Sequence, residues 1–187
     1  MLLEIPYDRD RAVAYAKKWA LSRNPLFFDF TGSGGNCTNF VSQCLFAGCG
    51  VMNYAKTFGW YYISADDRAP AWTGVDELYS FLVATPAFRD NNNGSGPYGE
   101  NAMTARMIEL GDVIQLARPN GEFYHSLLIS GFTDNDILVC AQSDNALDRP
   151  LSTYNYASLR IIHIVGARLF FDDTLIFENL YNGEALA

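Results

Sequence analysis

The hydrophobic period changes once along the chain, and that change limits the folds open to it. In the first half apolar residues recur at helical spacing. "YDRDRAVAYAKKWALS" places Asp8 to cap a helix whose stripe is Ala12, Tyr15, Ala16, Trp19 and Ala20. "TGVDELYSFLVAT" repeats the pattern through Val75, Leu78, Tyr79, Leu82 and Val83, with Thr73 and Asp76 placed as a capping pair. After "RDNNNGSGPYGEN", which reads as a polar, Gly-rich loop, the pattern becomes that of strands. "GDVIQLA", "FYHSLLISGF", "DILVCAQS" and "RIIHIVGARLF" are β-rich runs parted by turn residues such as "RPNG" and "TDND". Helices first and a short antiparallel meander second make an α+β arrangement, with N-terminal helices packed on a short antiparallel β-sheet.

At 187 residues, 49% of them hydrophobic and 18% charged, the chain fits one domain able to bury its own core. The core spans about residues 7–169 and the tail 170–187, where "FENLYNGEALA" reads equally as native structure or as partly disordered. The net charge of -8 argues against a nucleic-acid partner, because phosphate binding needs clustered Lys and Arg. "MLLEIPYDRDRAV" turns charged after two apolar residues, so neither a signal peptide nor a membrane-spanning segment is expected; the compartment stays open.

Within the helical half, "GSGGNCTNFVSQCLFAGCG" sets a cysteine at the start of a helix. Unpaired backbone amides and the helix dipole favour a thiolate at such an end. Cys37, Phe40, Val41, Cys44 and Gly48 share one face, and Gly48 and Gly50 are placed to close the helix. The glycines at 32, 34 and 35 allow a close approach to the helix tip. The alternative is a Cys37 that packs as a small hydrophobe. Cys37 and Cys44 would stand roughly 10 Å apart by helix rise, too far for a disulfide, so reduced thiols are expected. No CxxC pair, H-E-x-x-H helix, phosphate loop or G-x-S-x-G elbow occurs, and no metal or cofactor is expected.

A thiol nucleophile needs a base, and the chain has two histidines. In "FYHSLLISGF", Phe123, His125, Leu127 and Ile129 share one strand face; if that face packs on the Cys37 helix, imidazole and thiol come within reach. His163 lies in a run apolar on both faces and reads as structural. Gln142, Asp144 and Asn145 end the next strand, where one of them can orient the imidazole or all three can simply turn the chain. The aperiodic "FGWYYISADDRAPAW" carries Trp60, Tyr61 and Tyr62, either as core under a loop or as walls of a cleft.

From Tyr7 to Val165 the chain resembles the putative amidase domain family, a branch of the papain-like group related to the NlpC-like and CHAP cysteine hydrolases. The strings "YDRDRAVAYAKKWA", "NPLFFDF", "GGNCTNFVSQCL", "GWYYISADDRAPAW", "LGDVIQL", "YHSLLISG" and "LDRPLSTY" carry the resemblance. It implies a papain-like (NlpC-like) fold in which a helix bearing Cys37 packs on an antiparallel sheet bearing His125, and hydrolysis of amides in cell-wall peptides. The family's Asp-Cys step is Asn36-Cys37 here, and Gln142 stands where the family tends to show a His.

The expected chemistry is attack of the Cys37 thiolate on an amide carbonyl, protonation of the leaving amine by His125, and hydrolysis of the thioester by water. The Cys37 amide, with Asn36 or Asn39, would hold the oxyanion, and Gln142 is favoured over Asp144 as the third residue. Acyl transfer uses the same residues. A peptide- or glycopeptide-binding module that has lost the chemistry is the competing class, and Asn36 and Gln142 are the features that favour it.

Overall fold

The computed structural model describes residues 1–184; the final three residues of the tail, 185–187, lie outside the described part. Among the described residues there are six α-helices and one seven-stranded antiparallel sheet, a mixed α+β fold. Strand β1 (Leu2–Ile5) leads into α1 (Arg9–Trp19), capped where the Asp8 carboxylate accepts from the Arg11 amide. Ala12, Ala16 and Ala20 are its fully buried stripe, small enough to let α1 lie close against α2 (Cys37–Cys49).

Helix α2 is buried nearly all round from Cys37 to Leu45, so it is the central helix rather than one with a single apolar stripe. It ends at Gly50, whose left-handed backbone (φ 69°) lets its amide reach the Phe46 carbonyl. Gly48 does not close the helix. It sits inside it, where a side chain would run into the Tyr7 ring.

An irregular segment pinned by the bridges Asn53↔Trp60 and Tyr62↔Arg68 leads to α3 (Pro70–Thr73), α4 (Val75–Leu82) and α5 (Pro86–Arg89). The Thr73–Asp76 capping pair does not form. Gly74 is the N-cap of α4, Thr73 accepts from Arg68 Nε, and Asp76 is drawn into an ion pair with Arg160 (2.7 Å).

The sheet is larger than a short meander. β2 (Gly96–Asn101), β3 (Val113–Ala117), β4 (Phe123–Phe132), β5 (Ile137–Ala141), β6 (Ala146–Pro150) and β7 (Ser158–Phe170) join β1 in the order β1-β7-β3-β4-β5-β6, with β2 also paired to β7. The Gly-rich segment that reads as loop is therefore strand β2 at its far end, held by backbone pairing to β7. The tail contributes the end of β7 and helix α6 (Asp173–Asn182), capped by Asp172.

Alternation across the sheet builds two cores. Val113, Leu128, Cys140, Ile162 and Ile164 face the helices and pack on Phe40, Cys44, Trp60, Trp72 and Leu82. Ile114, Leu116, Leu127, Ile129 and Val139 face the other way, under Leu151 and the half-buried Tyr154 and Tyr156.

Candidate active site

The segment before α2 is shaped by its glycines. Gly34 (φ 99°) and Gly35 (φ 109°) take backbone conformations that side chains resist, and a Cβ on Gly35 would press on Ser143 Oγ at 3.3 Å. Ser143 itself holds a positive φ of 80°, and its Oγ accepts the Asn36 amide. This contact fixes the tip of α2 to the chain leaving β5.

Below that tip lies a buried chain of amides. The Gln142 side-chain oxygen accepts from Asn36 Nδ2, and its nitrogen donates to the carbonyls of Trp19 (2.7 Å) and Ser22 (2.8 Å) at the end of α1. Asn36 Oδ1 accepts from Phe30 N (3.0 Å) and Asn39 Nδ2 (2.8 Å); Asn39 also donates to the Phe28 carbonyl and accepts from the Trp72 indole (2.8 Å). Asn36 occupies the N-cap position yet makes no capping bond, because its amide is engaged inward. The first-turn N–H groups of α2 are left without a side-chain cap.

Cys37, 7% exposed, begins the helix, its Sγ 3.8 Å from Thr38 Oγ1. It lines a cleft of about 500 Å³ with Gly34, Gly35, His125, Ser143, Asp144 and Arg149, and with Tyr124, Tyr154 and Asn155. The structure thus brings Cys37 and His125 to one cavity, though by a different route from the expected face-to-face packing. His125 shares its face with Leu127 and Ile129 in the second core, while its neighbour Ser126 faces the helices and meets Thr38 Oγ1 at 3.0 Å. Thiol and imidazole both line the cleft beside the tip of α2.

A β-bulge shapes this end of β4. Leu116 pairs with His125 and Ala117 with Phe123, so Tyr124 is the extra residue. The bulge turns Phe123 away to lie against the Arg160 guanidinium (3.8 Å) and sets the Tyr124 ring nearly parallel to the imidazole, 14° apart with centroids at 6.0 Å. Phe123 therefore does not share the His125 face.

His125 is 7% exposed, and burial pushes its imidazole down from 6.5 to about 4; Asp144 opposes that shift weakly and Arg149 adds to it. The imidazole is neutral at neutral pH. Its Nε2 is sealed from solvent without a hydrogen-bond partner, which leaves Nδ1 as the nitrogen that can act on the cleft. Among the described residues no Sγ–imidazole hydrogen bond is formed.

The other expected site residues separate into two groups. Asp144 lines the cleft but is paired to Arg149 (2.8 Å) and makes no hydrogen bond to His125. Gln142 does not orient the imidazole: both ends of its amide are held by Asn36 and the α1 carbonyls. The Asn36 and Asn39 side chains cannot hold an oxyanion in the cleft, since both are buried within that same network. Trp60, Tyr61 and Tyr62 do not wall the cleft either. Trp60 is fully buried and donates to Ser42, Tyr61 is tied to Asp67 (2.9 Å), and the Tyr62 hydroxyl accepts from Phe28 N (2.9 Å). The aromatic segment is core beneath a loop.

The rings that do wall the cleft are Tyr124 and Tyr154. The Tyr154 hydroxyl is also buried without a partner, the phenol is pushed up to about 12 chiefly by burial, and the Arg149 guanidinium lies over its ring at 3.9 Å. Both tyrosines fall in strings that carry the family resemblance, Tyr124 in "YHSLLISG" and Tyr154 in "LDRPLSTY", but alternation alone assigns neither to the cleft; only the bulge turns Tyr124 inward.

His163 sits elsewhere, its Nδ1 3.0 Å from the buried carboxylate of Asp112, which also accepts from Arg9 (2.7 Å) and the amide of Ile164. That cluster ties α1 to β7 and the turn before β3. All four cysteines are free thiols; Cys44 and Cys140 are fully buried and pushed up by burial, as is Cys49, to about 11.

Residues 6–165 match the family described as a putative amidase domain. The uncharacterized protein YhbB of Bacillus subtilis (strain 168) is 31% identical over 126 residues, 66% of this chain but 37% of YhbB, so the chain spans little more than a third of that relative's length. No solved structure matches. With the match running from the residue before Tyr7 to Val165, and so through α2, β4 and the whole cleft between them, the chain belongs to the putative amidase domain family.

Proposed function

We propose that the cleft hydrolyses amides by cysteine nucleophilic catalysis, with Cys37 as nucleophile and His125 as base and acid. The observation that carries this reading is the pairing of a thiol at an uncapped helix N-terminus with a neutral, largely buried imidazole in one cavity. The neutral imidazole is the form that accepts a proton. As Sγ attacks the carbonyl carbon, the thiol proton passes to His125 Nδ1, and the tetrahedral oxyanion meets the Cys37 amide at the positive end of α2. His125 then gives its proton to the leaving nitrogen, the C–N bond breaks, and a thioester remains on Cys37. Water, deprotonated by His125, cleaves the thioester, and the carboxylic acid and free thiol are regenerated. The absent Sγ–imidazole bond fits this sequence, because catalytic hydrogen bonds tighten when substrate excludes water.

The helix-borne cysteine and strand-borne histidine support kinship with the papain-like NlpC and CHAP hydrolases, and peptide amides of cell-wall type are the substrate class that kinship suggests. A second reading, a peptide- or glycopeptide-binding module without turnover, draws on the unpartnered His125 Nε2, since no group holds the ring from behind. One experiment separates them: incubation with short peptides and purified cell-wall fragments, with released amine measured and acid-quenched protein weighed intact. Turnover with an acyl adduct on Cys37 that vanishes in Cys37→Ala supports the hydrolase. Binding without release or adduct leaves the module, and turnover that survives Cys37→Ala refutes the cysteine mechanism.

A further inference from the structure

Beside the catalytic cleft lies a second hollow of about 390 Å³, lined by Ala117, Arg118, Pro119, Tyr124, Asn155, Tyr156 and Ala157. It shares Tyr124 and Asn155 with the first. The shared wall is rigid: the Tyr124 hydroxyl donates to the Asn155 carbonyl (3.1 Å), and the Ala157 amide is bound to Ala117 O (2.9 Å). The two hollows are therefore neighbours across Tyr124.

Its one charged lining residue is Arg118. The side chain leaves the base of the β3–β4 turn, where its backbone amide is bound to Glu122 O (2.9 Å), and its guanidinium lies over the Tyr124 ring at 4.6 Å. Stacking of this kind holds the planar fork in place while its edge stays free to donate. Arg118 Nη1 pairs with Glu122 at 2.8 Å, but both side chains are about half exposed, at 49% and 56%. Such surface pairs contribute about 0–1 kcal/mol, so an incoming carboxylate can displace Glu122 at little cost. In a protein of net charge -8, Arg118 thus sets a stacked, exchangeable guanidinium across Tyr124 from the Cys37 cleft.

We propose that this hollow is a substrate subsite that takes a carboxylate, with Arg118 as its specificity-determining residue; the proposal rests on the amide-hydrolase reading of the neighbouring cleft. The carboxylate accepts a bidentate pair of hydrogen bonds from the Arg118 fork while Tyr124 and Tyr156 cover its aliphatic stem. A side-chain carboxylate and a C-terminal carboxylate carry the same chemistry.

The test uses full-length Cys37→Ala protein, which removes turnover, and calorimetric titration with three blocked tripeptide probes: acetyl-Ala-Glu-Ala-amide, acetyl-Ala-Gln-Ala-amide, and acetyl-Ala-Ala-Ala with a free C-terminal carboxylate. At least one carboxylate probe is expected to bind about tenfold more tightly than the Gln probe, the affinity gap expected of one charge-assisted pair. Which one does so identifies the source. Arg118→Gln in the same background is expected to erase the difference, and Glu122→Gln to widen it by freeing the guanidinium. Equal affinities, no binding by any probe at millimolar concentration, or a preference that survives Arg118→Gln would each overturn the subsite. The same peptides given to the Cys37 protein then separate the two claims: selective binding without cleavage sinks the hydrolase reading and keeps the subsite, and cleavage indifferent to the carboxylate does the reverse.

Discussion

Replacing Gln142 by Ala tests whether the buried amide network, rather than a partner for the imidazole, is what that position supplies. The substitution deletes two donated hydrogen bonds, to the Trp19 and Ser22 carbonyls, and one acceptor, for Asn36 Nδ2. Gln142 is 1% exposed and Asn36 likewise, so the Asn36 amide is left buried and unpaired, at about 1–3 kcal/mol. The carbonyl of exposed Ser22 can turn to water, and each lost bond at the end of α1 adds about 0.5–1.5 kcal/mol. The sum, about 2–6 kcal/mol, lowers the melting temperature of a domain this size by roughly 10 °C. Urea denaturation and calorimetry measure it. Because one of the three bonds that hold the Asn36 side chain inward is then lost, the tip of α2 loosens and kcat for the proposed hydrolysis should also fall, with the acid limb of the pH-rate profile unmoved. Gln142→Glu is a sharper probe: its carboxylate still accepts from Asn36 but faces two carbonyls, so its stability should recover as pH falls and the carboxyl gains a donor proton. A Gln142→Ala protein within 1 kcal/mol of the parent, with a shifted acid limb, would refute the network and return Gln142 to the imidazole.

Cys37 should be alkylated by iodoacetamide well before the other three thiols, since Cys44 and Cys140 are fully buried and burial pushes Cys44, Cys49 and Cys140 up; peptide mass mapping reads the order, and equal labelling in the folded protein counts against it. Cys37→Ala should abolish turnover with little change in melting temperature, because its Sγ contributes no strong hydrogen bond. His125 has a folded-state pKa of about 4 against 6.5 unfolded, so the folded protein binds fewer protons in that interval. Stability from the neutral buried ring is full above about pH 6.5 and is lost toward pH 4, by at most about 3 kcal/mol. His125→Phe should flatten the urea-unfolding profile across that window; an unchanged slope counts against burial as the cause. Arg149→Gln should raise the His125 titration midpoint and Asp144→Asn should lower it, both seen in the imidazole proton resonances, because the two charges act on the ring in opposite directions. Movement in the same direction would show that they act by another route.

Helices α1, α2 and α4 were legible in the sequence because their patterns are local, whereas the short α3 and α5 and the tail helix α6 were not read. Asp8 followed by small and aromatic residues at helical spacing specifies α1, and the Asp8 cap forms as the spacing implies. The strands that were missed lack a local signal. "GPYGEN" has glycines where β-propensity wants branched residues, and it becomes β2 only because β7 offers a long edge with which its backbone can pair. "LLEI" and "ALDRP" are recruited in the same way, at the two ends of the sheet order. The Thr73–Asp76 cap illustrates the opposite failure. The pattern is local, but α4 starts one residue later, with Gly74 as its N-cap, and Arg160, eighty-four residues away, pairs with the Asp76 carboxylate.

The candidate site divides along the same line. Cys37 at a helix tip and His125 at the start of a strand are positions that sequence periodicity can give. Their surroundings depend on two features with no sequence signature, and both shape the cleft. One is the bulge at Tyr124, which cannot be read from alternation because it is a break in alternation; it sets the Tyr124 ring nearly parallel to the His125 imidazole. The other is the inward turn of Asn36. An Asn before a helix ordinarily caps it, and a capped α2 would offer fewer free amides to an oxyanion. Here Gln142, Asn39 and the Phe30 amide hold the Asn36 side chain in the interior, so the residue that would close the helix end keeps it open. Gln142 stands where the resemblance leads one to expect a histidine near the imidazole. Its contribution is made to Asn36 at the tip of α2 and to the end of α1, and a charge-neutral amide that both donates and accepts is the side chain those partners require.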